Sequence, residues 1–156
     1  MHPERGLEKK VDAARKAAMA TFASSSVDQL ERLAGEAGLS LQAETMRGPE
    51  TGLVTVRGRI GGGGAVFNTG EATVTRATVR LPSGQIGHSF ALGRDRKKAL
   101  LAATLDALWC SDATRKQVDE RIVQPLTELA ARADAQKHAE TAATKVDFFT
   151  MVRGED

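Results

Sequence analysis

Glycine and alanine divide this chain into three parts, and that division limits what it can become. Eleven of its fifteen glycines lie between Gly48 and Gly93, whereas alanine concentrates in residues 13–23 and 99–143. Alanine is the best helix former and glycine one of the worst, because glycine loses the most backbone freedom on ordering. Helices therefore belong at the two ends and turn-rich β structure in the middle. At 156 residues the chain suits one domain with one core. The expectation is an α+β fold, with about four antiparallel strands packed with N-terminal and C-terminal helices.

Residue spacing places the elements. A first helix is expected from about Pro3 to Phe22, where Leu7, Val11, Ala14, Ala18 and Phe22 keep near-helical spacing. Ser26 is suited to N-cap a second helix, Val27 to Ala37, and Gly38 to end it. Four strand candidates follow: Leu39 to Met46, Gly52 to Ile60, Glu71 to Leu81 and Gln85 to Leu92. The third alternates most clearly, with Thr73, Thr75, Ala77, Val79 and Leu81 opposed to Ala72, Val74, Arg76, Thr78 and Arg80. Gly61 to Gly64 reads as the turn after the second strand, and Pro82-Ser83-Gly84 as a tight hairpin turn. No helix long enough for a parallel crossover separates these strands, so they pair antiparallel.

A third helix is expected from near Asp95 to Trp109. Ala99, Ala102, Ala103, Asp106 and Ala107 form one side of it, and Leu101, Leu105 and Leu108 another. A fourth covers about Asp112 to Ile122. The pattern restarts or kinks at Pro125, which lacks a helix donor, and Leu126 to Ala143 is weakly amphipathic.

Composition excludes several classes. No apolar run approaches the ~18 residues that span a bilayer. Residues 1–16 lack the apolar stretch of a signal peptide. The single Cys110 cannot close an internal disulfide or supply the thiolates of an iron–sulfur cluster, so a reducing cytoplasm is the expected home. The three histidines, His2, His88 and His138, show no metal-ligand spacing. His88 and Ser89 are neighbours on a strand and point to opposite faces, so they do not form a nucleophile and base.

Charge is distributed unevenly. Residues 47–98 carry nine Lys or Arg and three acids, a net of +6, within a chain of net +2. A basic middle between acidic flanks suits an anionic ligand or an acidic partner, or else is a solvated sheet face. The Gly61–Gly64 run lacks the Gly-Lys-Ser/Thr ending of a phosphate loop. Arg94 stands beside a helix N-terminus, where a phosphate could bind. Arg76 lies inside the clearest strand, and either snorkels at an edge, pairs with an acid such as Glu71 or points into a cleft. The basic stretch shows no nucleic-acid-binding motif.

The last residues are unusual in another way. The chain has five Phe, one Trp and no Tyr, yet Phe148 and Phe149 stand near its end, where chains usually fray. Residues 1–145 read as one α+β domain and 146–156 as an extended C-terminal tail. Exposed on a monomer, the segment Val146 to Val152 would be an aggregation hazard. Buried on a partner, its two Phe side chains would contribute roughly 3–6 kcal/mol before ordering costs.

Several strings in this chain are specific. They are Thr51-Gly52-Leu53-Val54, Arg59-Ile60-Gly61-Gly62, Gly70-Glu71-Ala72-Thr73-Val74-Thr75-Arg76 and Val79-Arg80-Leu81, followed by Leu92-Gly93-Arg94-Asp95 and Asp106-Ala107-Leu108. The chain closes with Lys145-Val146-Asp147-Phe148-Phe149-Thr150-Met151-Val152-Arg153-Gly154. Over about residues 25 to 156 it resembles the PhnG family, the G subunit of the bacterial carbon–phosphorus lyase core complex.

The resemblance implies a shared activity. Such a subunit works with H, I and J subunits, most directly I. The complex displaces adenine from MgATP with a phosphonate, giving an α-D-ribose 1-phosphonate 5-triphosphate. The I subunit is the expected catalyst, and the radical J subunit later breaks the C–P bond. This chain is then an accessory subunit that binds no cofactor alone, and MgATP is a substrate of the complex. ATP and a phosphonate are both anionic, so Arg76 and Arg94, each within a matched string, are the candidate substrate contacts. Val146, Phe148, Phe149, Met151, Val152 and Arg153 are the candidate docking residues. The rival readings are an independent enzyme acting on a nucleotide or phosphoester, and a nucleic-acid-binding module.

Overall fold

The computed structural model describes residues 4–59 and 63–143. The expected docking tail, with Val146, Phe148, Phe149, Met151, Val152 and Arg153, lies outside the described residues, as do Gly61 and Gly62. The element order is α1 (Glu4–Ser24), α2 (Val27–Glu36), β1 (Glu44–Gly58), β2 (Phe67–Arg80), β3 (Ile86–Leu92), α3 (Arg96–Cys110), α4 (Arg115–Val118), a π-helical turn (Asp119–Val123) and α5 (Gln124–Ala143). No described helix is long and apolar enough to cross a membrane.

The helix ends follow from short-range chemistry. The Ser26 hydroxyl accepts the Gln29 N–H, and the Gln29 side chain accepts the Ser26 N–H, which starts α2 with a capping box. At its other end the Gly38 and Leu39 N–H groups bond back to Gly35 and Ala34. The Asp95 carboxylate accepts the Lys98 N–H at 2.8 Å and starts α3. The chain stays helical through Pro125, where the π turn just before it shifts the hydrogen-bond ladder by one residue.

Among the described residues the sheet has three strands in the order β1-β2-β3, both pairs antiparallel. This corrects the expected four. Only the end of the first expected strand, from Glu44, joins the second in one strand, β1, which pairs with β2: Glu44 lies opposite Arg80 and Val56 opposite Gly70. Two bulges, at Met46 and between Arg47 and Glu50, carry the strand across Gly48-Pro49. Gly48 sits there at φ +75, and a Cβ would fall 2.6 Å from the Arg76 carbonyl oxygen, so only glycine fits. Residues 39–43 stay outside the sheet, with Leu39 and Ala43 packed on the core.

Helix α3 is the centre of the molecule. Ala99 and every residue from Leu101 to Trp109 are buried, since the helix has the sheet on one side and α1, α2 and α4 on the others. Its small side meets β3 closely: a Cβ on Gly87 would lie 2.0 Å from the Ala103 carbonyl oxygen and 2.7 Å from the Ala107 Cβ. Thr75, Ala77 and Val79 of β2 face α3 as their alternation predicts. Phe22, Leu30, Leu105, Val118 and Ile122 complete the core.

One buried acid joins three elements. Asp106 of α3 is 1% exposed, and its carboxylate accepts Arg15 Nε at 3.0 Å, Arg15 Nη2 at 2.8 Å and the His88 N–H at 2.8 Å. The last bond occupies a donor on the free edge of β3. The Asp106 hydrogen bond raises the Arg15 pKa.

Candidate functional site

Among the described residues the side of the sheet away from α3 is mostly exposed, although Val74 is buried on it and Met19 of α1 borders it. The side chains of this face come from alternate positions: Arg76, Thr78 and Arg80 of β2, and Ile86, His88, Phe90 and Leu92 of β3. Cross-strand register then decides the charge. Glu50 lies opposite Arg76 and accepts Arg76 Nη2 at 2.9 Å, with Arg47 Nε at 3.5 Å on its other oxygen. Arg80 pairs in the same way with Glu44 at 2.8 Å. The hydrogen bond from Arg76 holds the Glu50 carboxyl below the usual carboxylate range.

Arg76 is therefore paired with an acid, which is Glu50 rather than Glu71. Glu50 could not be singled out without the bulge, because the extra residues between Thr45 and Glu50 set which acid faces which arginine. Arg76, with Glu50, Gly52, Val54, Val74 and Phe90, lines a shallow hollow of about 160 Å³.

Arg94 lies elsewhere. It lines an open hollow of about 490 Å³ with Thr51, Gly52, Leu53, Thr73 and Arg96. Thr51 and Thr73 belong to the helix side of the sheet, opposite the face that carries Arg76, so the structure does not bring the two candidate arginines into one hollow. Arg96 was not singled out from the sequence, although it stands two positions from Arg94 at the start of α3. Arg57, Arg59, Arg94 and Arg96 form no ion pair among the described residues.

The remaining reactive groups have local duties. Ser89 is buried and donates to the Ala99 carbonyl at 2.6 Å, while His88 Nδ1 lies 3.1 Å from Thr78 Oγ1 on the open face. Burial pushes the Cys110 thiol up, and the nearby Asp106 adds to the shift, so the thiolate is disfavoured. The Thr75 hydroxyl sits 3.0 Å from Thr51 Oγ1 and donates to the Gly93 carbonyl at 2.8 Å, tying the start of the Arg94 loop to the sheet.

Fold and site define a small α+β domain with one sheet face covered by helices and the other mostly exposed among the described residues, and with Arg57, Arg59, Arg94 and Arg96 unpaired along the β1–β2 ribbon and at its base. The chain belongs to the PhnG family: the model described as "Phosphonate metabolism protein PhnG" matches residues 13–154. It is also 60% identical over 111 residues to the alpha-D-ribose 1-methylphosphonate 5-triphosphate synthase subunit PhnG of Rhizobium meliloti (strain 1021), covering 71% of this chain and 70% of that relative.

Proposed function

We propose that this chain is the G subunit of an alpha-D-ribose 1-methylphosphonate 5-triphosphate synthase. Its role is accessory: with the H and I subunits it supports displacement of adenine from MgATP by a phosphonate, in the cytoplasm. The J subunit completes the core complex, and the I subunit is the most direct neighbour. The observation that carries the reading is the 60% identity to a protein named as a subunit of that synthase. The mostly exposed sheet face fits a chain that works against another surface.

Anion screening is the contribution this chain can make to the chemistry. Arg94 is the stronger candidate, since Arg96 stands beside it and neither has an ion-pair partner among the described residues. Arg76 shares its charge with Glu50, so it attracts a triphosphate less. Residues 146–156 act as the docking tail of a body formed by residues 1–145, inserting Val146, Phe148, Phe149, Met151, Val152 and Arg153 into the I subunit.

The test is reconstitution with MgATP and methylphosphonate, reading adenine release. The complex is expected to be active, to lose activity when this chain is left out, and to regain it on addition. The chain alone should release nothing; release by the chain alone would establish an independent nucleotide enzyme instead. In the assembled complex Arg94→Ala should reduce the rate more than Arg76→Ala, and equal, near-normal rates would remove both from the substrate site. A chain ending at Lys145 should fold but not co-purify with the I subunit, and normal co-purification would refute the tail assignment.

A further inference from the structure

The two halves of the β1–β2 hairpin are covered very differently. β3 ends at Leu92, opposite Val74, yet β1 and β2 continue for six more paired positions, from Leu53–Thr73 to Gly58–Phe67. No described helix covers the exposed side chains of this ribbon. Leu53 is 64% exposed, Val56 44% and Phe67 42%. A two-stranded ribbon in water is marginal by itself, and exposed apolar residues on it cost solvation.

Its edge is also unprotected. β1 is the outer strand, and from Glu50 to Val56 its register runs without a break. Edge strands in free proteins are usually short, bulged or covered. Here the bulges of the first half stop at Glu50, and the next register shift comes only between Val56 and Arg57.

Charge identifies the kind of surface that would cover it. Arg57 and Arg59 stand at the far end of the ribbon, Arg94 and Arg96 beside its base, and none has an ion-pair partner among the described residues. Glu71 is the one acid among the described ribbon residues 53–59 and 67–73. A second copy meeting this one about a twofold axis would set the same arginines against each other. Leu53 and Val56 differ by an odd number of positions and so point to opposite faces, which a flat partner would not cover together.

We infer that the β1–β2 ribbon is an interface arm that enters a cleft in a different subunit, apolar inside and rimmed with carboxylates that meet these arginines. The inference rests on the chain being a synthase subunit and adds where the contact is made. Leu53, Val56 and Phe67 fill the cleft. Arg57, Arg59, Arg94 and Arg96 set its orientation, and their contribution weakens with salt.

The full-length chain is co-expressed, tagged, with the other subunits of its synthase, as the parent and as a Leu53→Asp/Phe67→Asp variant. The variant is expected to recover at least tenfold less of the other subunits, with the circular dichroism and thermal midpoint of the free chain unchanged. Hydrogen exchange provides a second readout that needs no substitution. Amides of residues 53–58 and 67–73 should exchange at least tenfold more slowly in the complex than in the free parent chain. Undiminished recovery by the variant, or a ribbon equally exchangeable in both states, overturns the arm while leaving the subunit reading intact. A parent chain that recovers no other subunit overturns both. A free chain of twice the monomer mass by light scattering, reverting to monomer in the variant, assigns the ribbon to a second copy and overturns the inference.

Discussion

The covered and uncovered halves of strand β2 make an instructive pair. Both pair with β1, although only the covered half alternates apolar and polar side chains in sequence. In the half from Thr75 to Arg80 the alternation becomes burial, because α3 lies under Thr75, Ala77 and Val79. In the half from Phe67 to Glu71 every residue is exposed. Strand pattern therefore tells which side chains share a face, while cover depends on how far a helix reaches. The 15 residues of α3 end the covered region, and the ribbon extends past it.

The sharpest way to break this comparison is one apolar truncation in each half. Leu105→Ala in α3, where the side chain is fully buried, should lower unfolding stability by about 3–4 kcal/mol. Leu53→Ala in the ribbon should change it by less than about 0.5 kcal/mol in the free chain. Urea denaturation measures both, and equal losses would mean that the ribbon is covered in solution.

Glycine substitutions come next. Gly87→Ala should cost about 2–3 kcal/mol, since the new Cβ meets helix backbone that cannot swing away. Gly52→Ala, with nothing within 4 Å of the added Cβ, should cost less than about 0.5 kcal/mol. A tolerated Gly87→Ala would show that β3 and α3 are not in close contact.

Ion pairs in the two regions should differ less. Arg15→Ala leaves the buried Asp106 carboxylate with only the His88 N–H, and should cost about 2 kcal/mol, below the range for a fully buried pair because Arg15 is partly exposed. Arg80→Ala breaks the exposed pair with Glu44 and should cost under about 1 kcal/mol. Thermal midpoints of the two variants, measured side by side, check the order.

The smallest effect concerns pH. The Glu50 carboxyl is held below its ordinary range in the folded chain, chiefly by Arg76. Its contribution is present above the unfolded carboxylate range and is lost as pH falls through the lowered folded value. Glu50→Gln should therefore lose slightly less stability than the parent between neutral and acidic pH. A variant with a steeper acid loss would contradict the pairing.

Much of the fold was legible in the sequence. The capping box at Ser26, the Asp95 cap, the turn at Pro82-Ser83-Gly84 and the faces of β2 all depend on groups a few residues apart. The strand count was not, because Gly48-Pro49 looks like a break until a partner strand carries the bulge across it. The basic middle was visible as a net charge, but its division into paired and unpaired arginines was not. Glu50 and Arg76 are 26 positions apart and meet only through register. Family membership was legible as well, since the strings that carry the resemblance lie along the length the PhnG model matches.

The sequence by itself determined where α2 and α3 start, which side of a strand many of the side chains take, and to which family the chain belongs. Those properties rest on backbone propensity, local hydrogen bonds and order along the chain. The tertiary structure decided what covers what: Gly87 against Ala103, Arg15 and His88 on Asp106, Arg76 on Glu50, and a ribbon left largely exposed. Such contacts join residues far apart in sequence, and their geometry exists only once helices and sheet have packed.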